Sequence, residues 1–118
     1  MEPKVAVQSL SALGHERRLE VFRLLVDAEQ NGMKPAAMLA KLNSSSNATK
    51  LPASSLSSHL SILKDAGLIT SERMSREILY RVNIDHMQRL VQFLIADCCG
   101  GQPGLGQPMI AKFIPSGS

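Results

Sequence analysis

The residues best equipped for chemistry lie late in the chain, in "LIADCCGGQPGLG" (residues 94–106), where both cysteines, Cys98 and Cys99, stand side by side ahead of two glycines. Adjacent α-carbons lie about 3.8 Å apart, short of the roughly 4.4–6.8 Å that a disulfide normally spans, which argues against a structural bridge between them. Two reduced thiols suit metal binding or redox chemistry, and the plainer alternative is a pair of helix-end cysteines with no role. A nucleophilic or redox cysteine draws on a helix N-terminus or a nearby cation. This pair is expected at a helix C-terminus beside Asp97, which disfavours the thiolate. With no Cys-x-x-Cys and no base beside a nucleophile in the pattern, the sequence points away from an enzyme.

The thiols sit on a chain of 118 residues, 44% hydrophobic and 19% charged, the size of one ordinary globular domain with a core of its own. Apolar runs such as "VFRLLV" and "LVQFLI" are broken well short of the roughly 20 residues that cross a bilayer. "MEPKVAVQSL" lacks a basic region followed by an apolar stretch, so a cytoplasmic protein without a membrane partner is expected. The net charge of +3 favours a polyanionic partner. One tyrosine, three phenylalanines and no tryptophan offer little on which single-stranded bases could stack, so duplex DNA is preferred.

Hydrophobic spacing predicts the elements that position these residues. "VAVQSLSALG" carries Val5, Val7, Leu10 and Leu13 as a first helix ended by Gly14. "HERRLEVFRLLVDAEQNG" carries Leu19, Phe22, Leu25 and Val26 as a second, stopped by Gly32. "KPAAMLAKLN" opens on Pro35 and repeats Met38, Leu39 and Leu42 as a third. "NSSSNATKLP" has no apolar period and reads as a loop. In "ASSLSSHLSILKDAGLI", Ser54 or Ser55 can cap a fourth helix, Leu56, Leu60 and Leu63 face inward, and Gly67 marks the exit. "LITSERMSREILYRVN" suits two short strands about the polar centre "RMSR". "IDHMQRLVQFLIADCC" places Met87, Leu90, Val91, Leu94 and Ile95 on a last helix. Residues 100–118 are too rich in Gly and Pro for regular structure, so the domain is expected at 1–99 and a flexible tail at 100–118.

Helix, helix, helix, helix, hairpin, helix is the order of a winged helix-turn-helix, mainly α with a small β-hairpin wing. In such a module the fourth helix enters the major groove and the wing reaches the flanking backbone. Three leucines fix one face of the fourth helix. Ser54, Ser55, Ser57, Ser58, His59 and Lys64 occupy the rest as candidate contacts to bases and phosphates, joined by Arg73 and Arg76 of the wing. The competing reading of the helix is a solvated, serine-capped surface. His15 reads as a residue at a helix start and His86 as a surface residue, with no histidine expected to hold a metal.

"LSALGHERRLEVFRLL" and "SSLSSHLSILKDAGLITSERMSREILYRVN" resemble the arsenic-repressor (ArsR/SmtB) family of metal-sensing bacterial transcriptional repressors over about residues 5–99. The resemblance implies a homodimer paired through the first and last helices, binding a palindromic operator and releasing it when an inducer occupies a thiol site. One arsenic site of the family is a Cys-Val-Cys pair in the third helix, and "AAMLAKL" has no cysteine there. A zinc site in the last helix uses spaced Asp, His, His and Glu or His. This chain offers only Asp85, His86 and Asp97, with Gly100 where a final ligand would fall. A third arrangement has a Cys-Cys pair ending the last helix and another cysteine in the tail. "CCGGQPGLG" matches it up to Gly106, which stands in place of the third thiol.

That difference bears on the inducer. Trivalent arsenic is soft and thiophilic; inorganic arsenite takes three sulfurs, whereas methylarsenite already carries one carbon and takes two. Cys98 and Cys99 satisfy the methylated species, with arsenite and antimonite as weaker ligands. No cofactor is required on this reading. The alternative is a thiol redox-responsive or ligand-independent winged-helix DNA-binding regulator.

Overall fold

A computed structural model describes residues 1–44 and 49–96 of the chain. In chain order the elements are α1 (Pro3–Leu13), α2 (Glu16–Ala28), a 3-10 turn (Glu29–Asn31), α3 (Pro35–Leu42), α4 (Ala53–Asp65), β1 (Ile69–Met74), β2 (Glu77–Val82) and α5 (Ile84–Ile95). This is the expected winged order. The boundary proposed between a domain and a tail at residue 100 lies outside the described residues.

The core forms where three apolar helix faces meet. Val21, Phe22 and Leu25 of α2, Met38 and Leu42 of α3, and Leu56, Leu60 and Leu63 of α4 are all buried in one cluster with Leu68 and Ile69. The 56, 60, 63 spacing places the three α4 leucines on one stripe, each contributing about 1.5–3 kcal/mol by leaving water. Leu19 and Val26, expected on the buried face of α2, lie on its exposed side. Val21 takes their place because it neighbours Phe22 and Leu25 around the helix.

A second departure concerns α1. Its buried residues are Ala6, Ser9 and Ala12, while Val7 and Leu10 are exposed. Small side chains on the inward face let α1 approach α2 and α4 closely, and the larger residues turn outward. The apolar period was legible; which of its phases faced the core was not.

The connection from α3 to α4 is closed by one side chain. Asn43 donates from Nδ2 to the Leu51 carbonyl (3.1 Å) and accepts the Leu51 amide at Oδ1 (2.7 Å), and Leu51 itself is buried. α4 then begins with Pro52 at the N-cap and no side-chain cap, so neither Ser54 nor Ser55 caps it. Both lie inside the first turn. The helix stops as its glycine requires: the Gly67 amide donates to the Lys64 carbonyl (2.9 Å), the Leu68 amide to the Leu63 carbonyl (3.0 Å), and Gly67 sits at φ +83°. That left-handed pair of bonds reverses the chain into β1 and satisfies the last carbonyls of the helix.

β1 and β2 pair antiparallel from Ile69↔Val82 to Met74↔Glu77, leaving Ser75 (φ +61°) and Arg76 as a two-residue turn. The turn is therefore narrower than "RMSR", and Arg73 belongs to β1. A further rung was not foreseen: Met33 exchanges both backbone hydrogen bonds with Tyr80 at 2.9 Å. Gly32, at φ +69°, permits this approach, because a Cβ there would stand 2.6 Å from the Tyr80 carbonyl oxygen. A single paired residue carries no period, so sequence pattern alone does not reveal it.

α5 is started by Asn83, whose Oδ1 accepts the His86 amide (3.2 Å) while its Nδ2 donates to the Gly67 carbonyl (3.1 Å). One asparagine thus joins the exit of α4 to the start of α5. His86 is not the surface residue expected. It is half-buried, with Nε2 2.8 Å from the hydroxyl of fully buried Ser9. Ser9 gives its proton to the Val5 carbonyl (3.0 Å), so the imidazole donates from Nε2. No helix among the described residues is long and apolar enough to cross a membrane.

Candidate nucleic-acid interface

The outward side of α4 is a stripe of small hydroxyls. Ser54, Ser57, Ser58 and Ser61 are all exposed, at the spacing that aligns residues along one helix face. No carboxylate interrupts this stripe until Asp65 in the last turn. Ser61 was not among the residues singled out from sequence, although it continues the 54, 57, 58 spacing. Ser58 donates its hydroxyl to the Ser54 carbonyl (3.2 Å), so only its lone pairs remain for a ligand. Lys64 is exposed at the far end of α4, about 15 Å along the axis from Ser54 at 1.5 Å per residue.

Ser55 and His59 occupy a different flank. Both are half-buried, and the His59 ring lies 5.0 Å from that of His15 at the start of α2, tilted by 52°. His59 therefore faces α2 and not the side of the serine stripe. Its buried Nδ1 has no hydrogen-bond partner among the described residues. Burial, followed by the charges of Arg18, His15 and Arg17, pushes its pKa below the ordinary value of 6.5. The "HL" that follows the serines is thus a packing element whose position beside them suggested a contact.

Arg17, another residue that sequence reasoning passed over, donates from its guanidinium to the Thr49 carbonyl just ahead of α4 and pairs with Glu20. It ties the start of α2 to the lead-in of the serine helix. On the wing, Arg73 and Arg76 are exposed, and neither forms an ion pair among the described residues. Sequence placed these two correctly at the hairpin's polar end. Cys98 and Cys99 lie outside the described residues. No group of three or more His, Cys, Asp or Glu that could hold a metal occurs among the described residues.

A helix with an uncharged donor-acceptor face, preceded by a short helix and followed by a two-stranded hairpin with free arginines, defines a winged helix-turn-helix module. Residues 44–71, from the start of the α3–α4 connection into β1, match the family model described as "Bacterial regulatory protein, arsR family". Over 50 residues the chain is 42% identical to the HTH-type transcriptional repressor SmtB of Mycobacterium tuberculosis, an alignment covering 42% of this chain and 37% of that protein's length. In three dimensions it is similar to an ArsR-like transcriptional regulator from Rhodococcus sp. RHA1 (TM-score 0.63, 18% identity, covering 96% of this chain and 95% of that one). It is also similar to HlyU from Vibrio cholerae N16961 (TM-score 0.57, 26% identity, covering 82% and 100%).

Proposed function

We propose that the protein is a cytoplasmic transcriptional repressor that binds duplex operator DNA as a homodimer and is released by a trivalent arsenical, and that it is not an enzyme. The observation that carries the DNA-binding part is the outward stripe of α4, four exposed serines free of carboxylate, followed by the exposed Arg73 and Arg76 of the wing. The match to an arsR-family helix-turn-helix and the likeness to a repressor, SmtB, support it.

Each part of the surface has its own chemistry toward DNA. Ser54, Ser57 and Ser61 both donate and accept, whereas Ser58 is left to accept from exocyclic amines of bases. Lys64, Arg73 and Arg76 address phosphates. Ser55 and His59 support the helix from its α2 side. Dimer formation would use the apolar residues that α1 and α5 leave outward, since Val7 is 64% and Leu94 52% exposed. A two-fold dimer would then address two half-sites of a palindrome.

Release is assigned to Cys98 and Cys99, which follow α5 directly in sequence. Two thiolates complete the coordination of methylarsenite, and arsenite or antimonite would bind them more weakly for want of a third sulfur. An inducer acts through its differential affinity for the free and DNA-bound forms, and a coupling of about 1–3 kcal/mol, common in allosteric links, gives substantial release.

The test of DNA contact uses duplexes selected from a random pool by the protein itself. Ser57→Ala and Ser61→Ala are expected to lose about 1–3 kcal/mol of affinity for each base contact removed, at the selected sequence only. Arg73→Ala and Arg76→Ala are expected to weaken all duplexes alike and to flatten the salt dependence. Unchanged affinity in both sets would remove the assignment of α4 and the wing.

A further inference from the structure

The wing carries more charge than its two free arginines. Between Ile69 and Val82 lie Glu72, Arg73, Arg76, Glu77 and Arg81, so two carboxylates stand within five residues of the groups assigned to phosphate. The strand register sorts these charges. Glu72, Glu77 and Arg81 fall on one face of the hairpin, Arg73 falls on the other beside Ile78, and Arg76 is in the turn. Each carboxylate has a cation. Glu72 pairs with Arg81 (2.6 Å), and Glu77 pairs with Lys34, which comes from the connection between α2 and α3. Arg81 is itself fixed by donating from Nε to the Gln30 carbonyl (2.9 Å). Lys34 is held next to the strand by the adjacent Met33–Tyr80 rung.

Exposed ion pairs of this kind add little to stability. All four side chains are solvent-accessible, so a purely structural purpose is a weak explanation. Their effect on a polyanion is larger in kind, because a free carboxylate within a Debye length of about 10 Å repels each phosphate nearby. We infer that Lys34 and Arg81 serve DNA binding without touching DNA, by neutralising Glu77 and Glu72 so that the wing presents Arg73 and Arg76 as its only uncompensated charges. This rests on the wing being a phosphate-contacting element, as proposed above.

Lys34 and Glu77 form the cleaner pair to test, since Arg81 also holds the backbone. The full chain, Lys34→Ala, Glu77→Gln and the double variant are titrated onto a selected duplex at about 0.1 M salt. Lys34→Ala is expected to weaken binding about fivefold, the scale of one unit charge a few ångströms away in water. Glu77→Gln is expected to bind more tightly than the parent, since Lys34 is then uncompensated, and the double variant to match the parent, because both present a neutral pair. Unaltered melting temperatures would show that the fold is not the cause. If Glu77→Gln gains nothing and the double variant binds as weakly as Lys34→Ala, Lys34 contacts phosphate directly and the inference is overturned. No loss in either background overturns it as well. A parent protein that binds no duplex at all removes the DNA-binding reading first, and this inference with it.

Discussion

His59 shows how a residue's neighbours decide what it can do. It follows two exposed serines on α4, yet its ring packs 5.0 Å from His15 and its Nδ1 is buried without a partner among the described residues. Burial disfavours its charged form, and Arg18 and Arg17 add like-charge repulsion. In the folded chain protonation is disfavoured, while the unfolded chain takes up its proton near the ordinary 6.5. The unfolded state therefore binds more protons just below that value, and stability falls as pH drops from 6.5 toward the depressed native pKa. Urea unfolding from pH 7.5 down to 5 should show this loss, and His59→Gln should flatten it. An unchanged slope in the variant would assign the acid sensitivity to other groups. The residue types were legible in sequence, but the flank each occupies was not, because a shift of one position on a helix turns a side chain by about 100°. That Ser61 shares the exposed stripe while His59 turns toward α2 was not legible for that one reason.

Elements were more legible than faces. Except that α1 starts two residues earlier, at Pro3, the helices and both strands fall within the predicted stretches, since buried periods such as Leu56, Leu60 and Leu63 repeat often enough to be read. Contacts made by one residue escaped: the Met33–Tyr80 rung, the Asn43 clasp on Leu51 and the His86–Ser9 bond each join segments far apart in sequence. The rung depends on Gly32. Gly32→Ala adds a Cβ 2.6 Å from the Tyr80 carbonyl oxygen at φ +69°, and strain of this type costs about 1–3 kcal/mol. The expected result is a lower melting temperature, together with operator affinity reduced by displacement of the wing. A variant as stable as the parent would mean that the rung contributes nothing to the mount of β2.

At the scale of the whole molecule, α5 is the proposed half of a contact between two copies. Of its residues only Leu90 is buried, while Ile84 and Leu94 are exposed and Val7 and Leu10 of α1 are exposed as well. Apolar exposure of this extent fits the proposed pairing of two copies. Leu94→Glu should give a monomer in sedimentation and lose tight binding to a palindrome, while keeping the helical content of the parent. A dimer that survives this change would place the interface on another surface. Because Cys98 and Cys99 follow the same helix in sequence, ligation of the thiols and dimer geometry would be linked, and that linkage is what would make the protein a switch.

The most direct measurement is release of a labelled operator duplex, followed by fluorescence anisotropy, as methylarsenite is titrated into the parent complex and into a complex of the Cys98→Ser, Cys99→Ser double variant. Arsenite and peroxide serve as parallel titrants. The expected result is release of the parent at lower methylarsenite than arsenite, no release by peroxide, and a double variant that binds the duplex like the parent but holds it at every arsenical concentration. Release of the double variant by arsenicals would place the sensor elsewhere, and release of the parent by peroxide alone would make the protein a redox-responsive regulator instead.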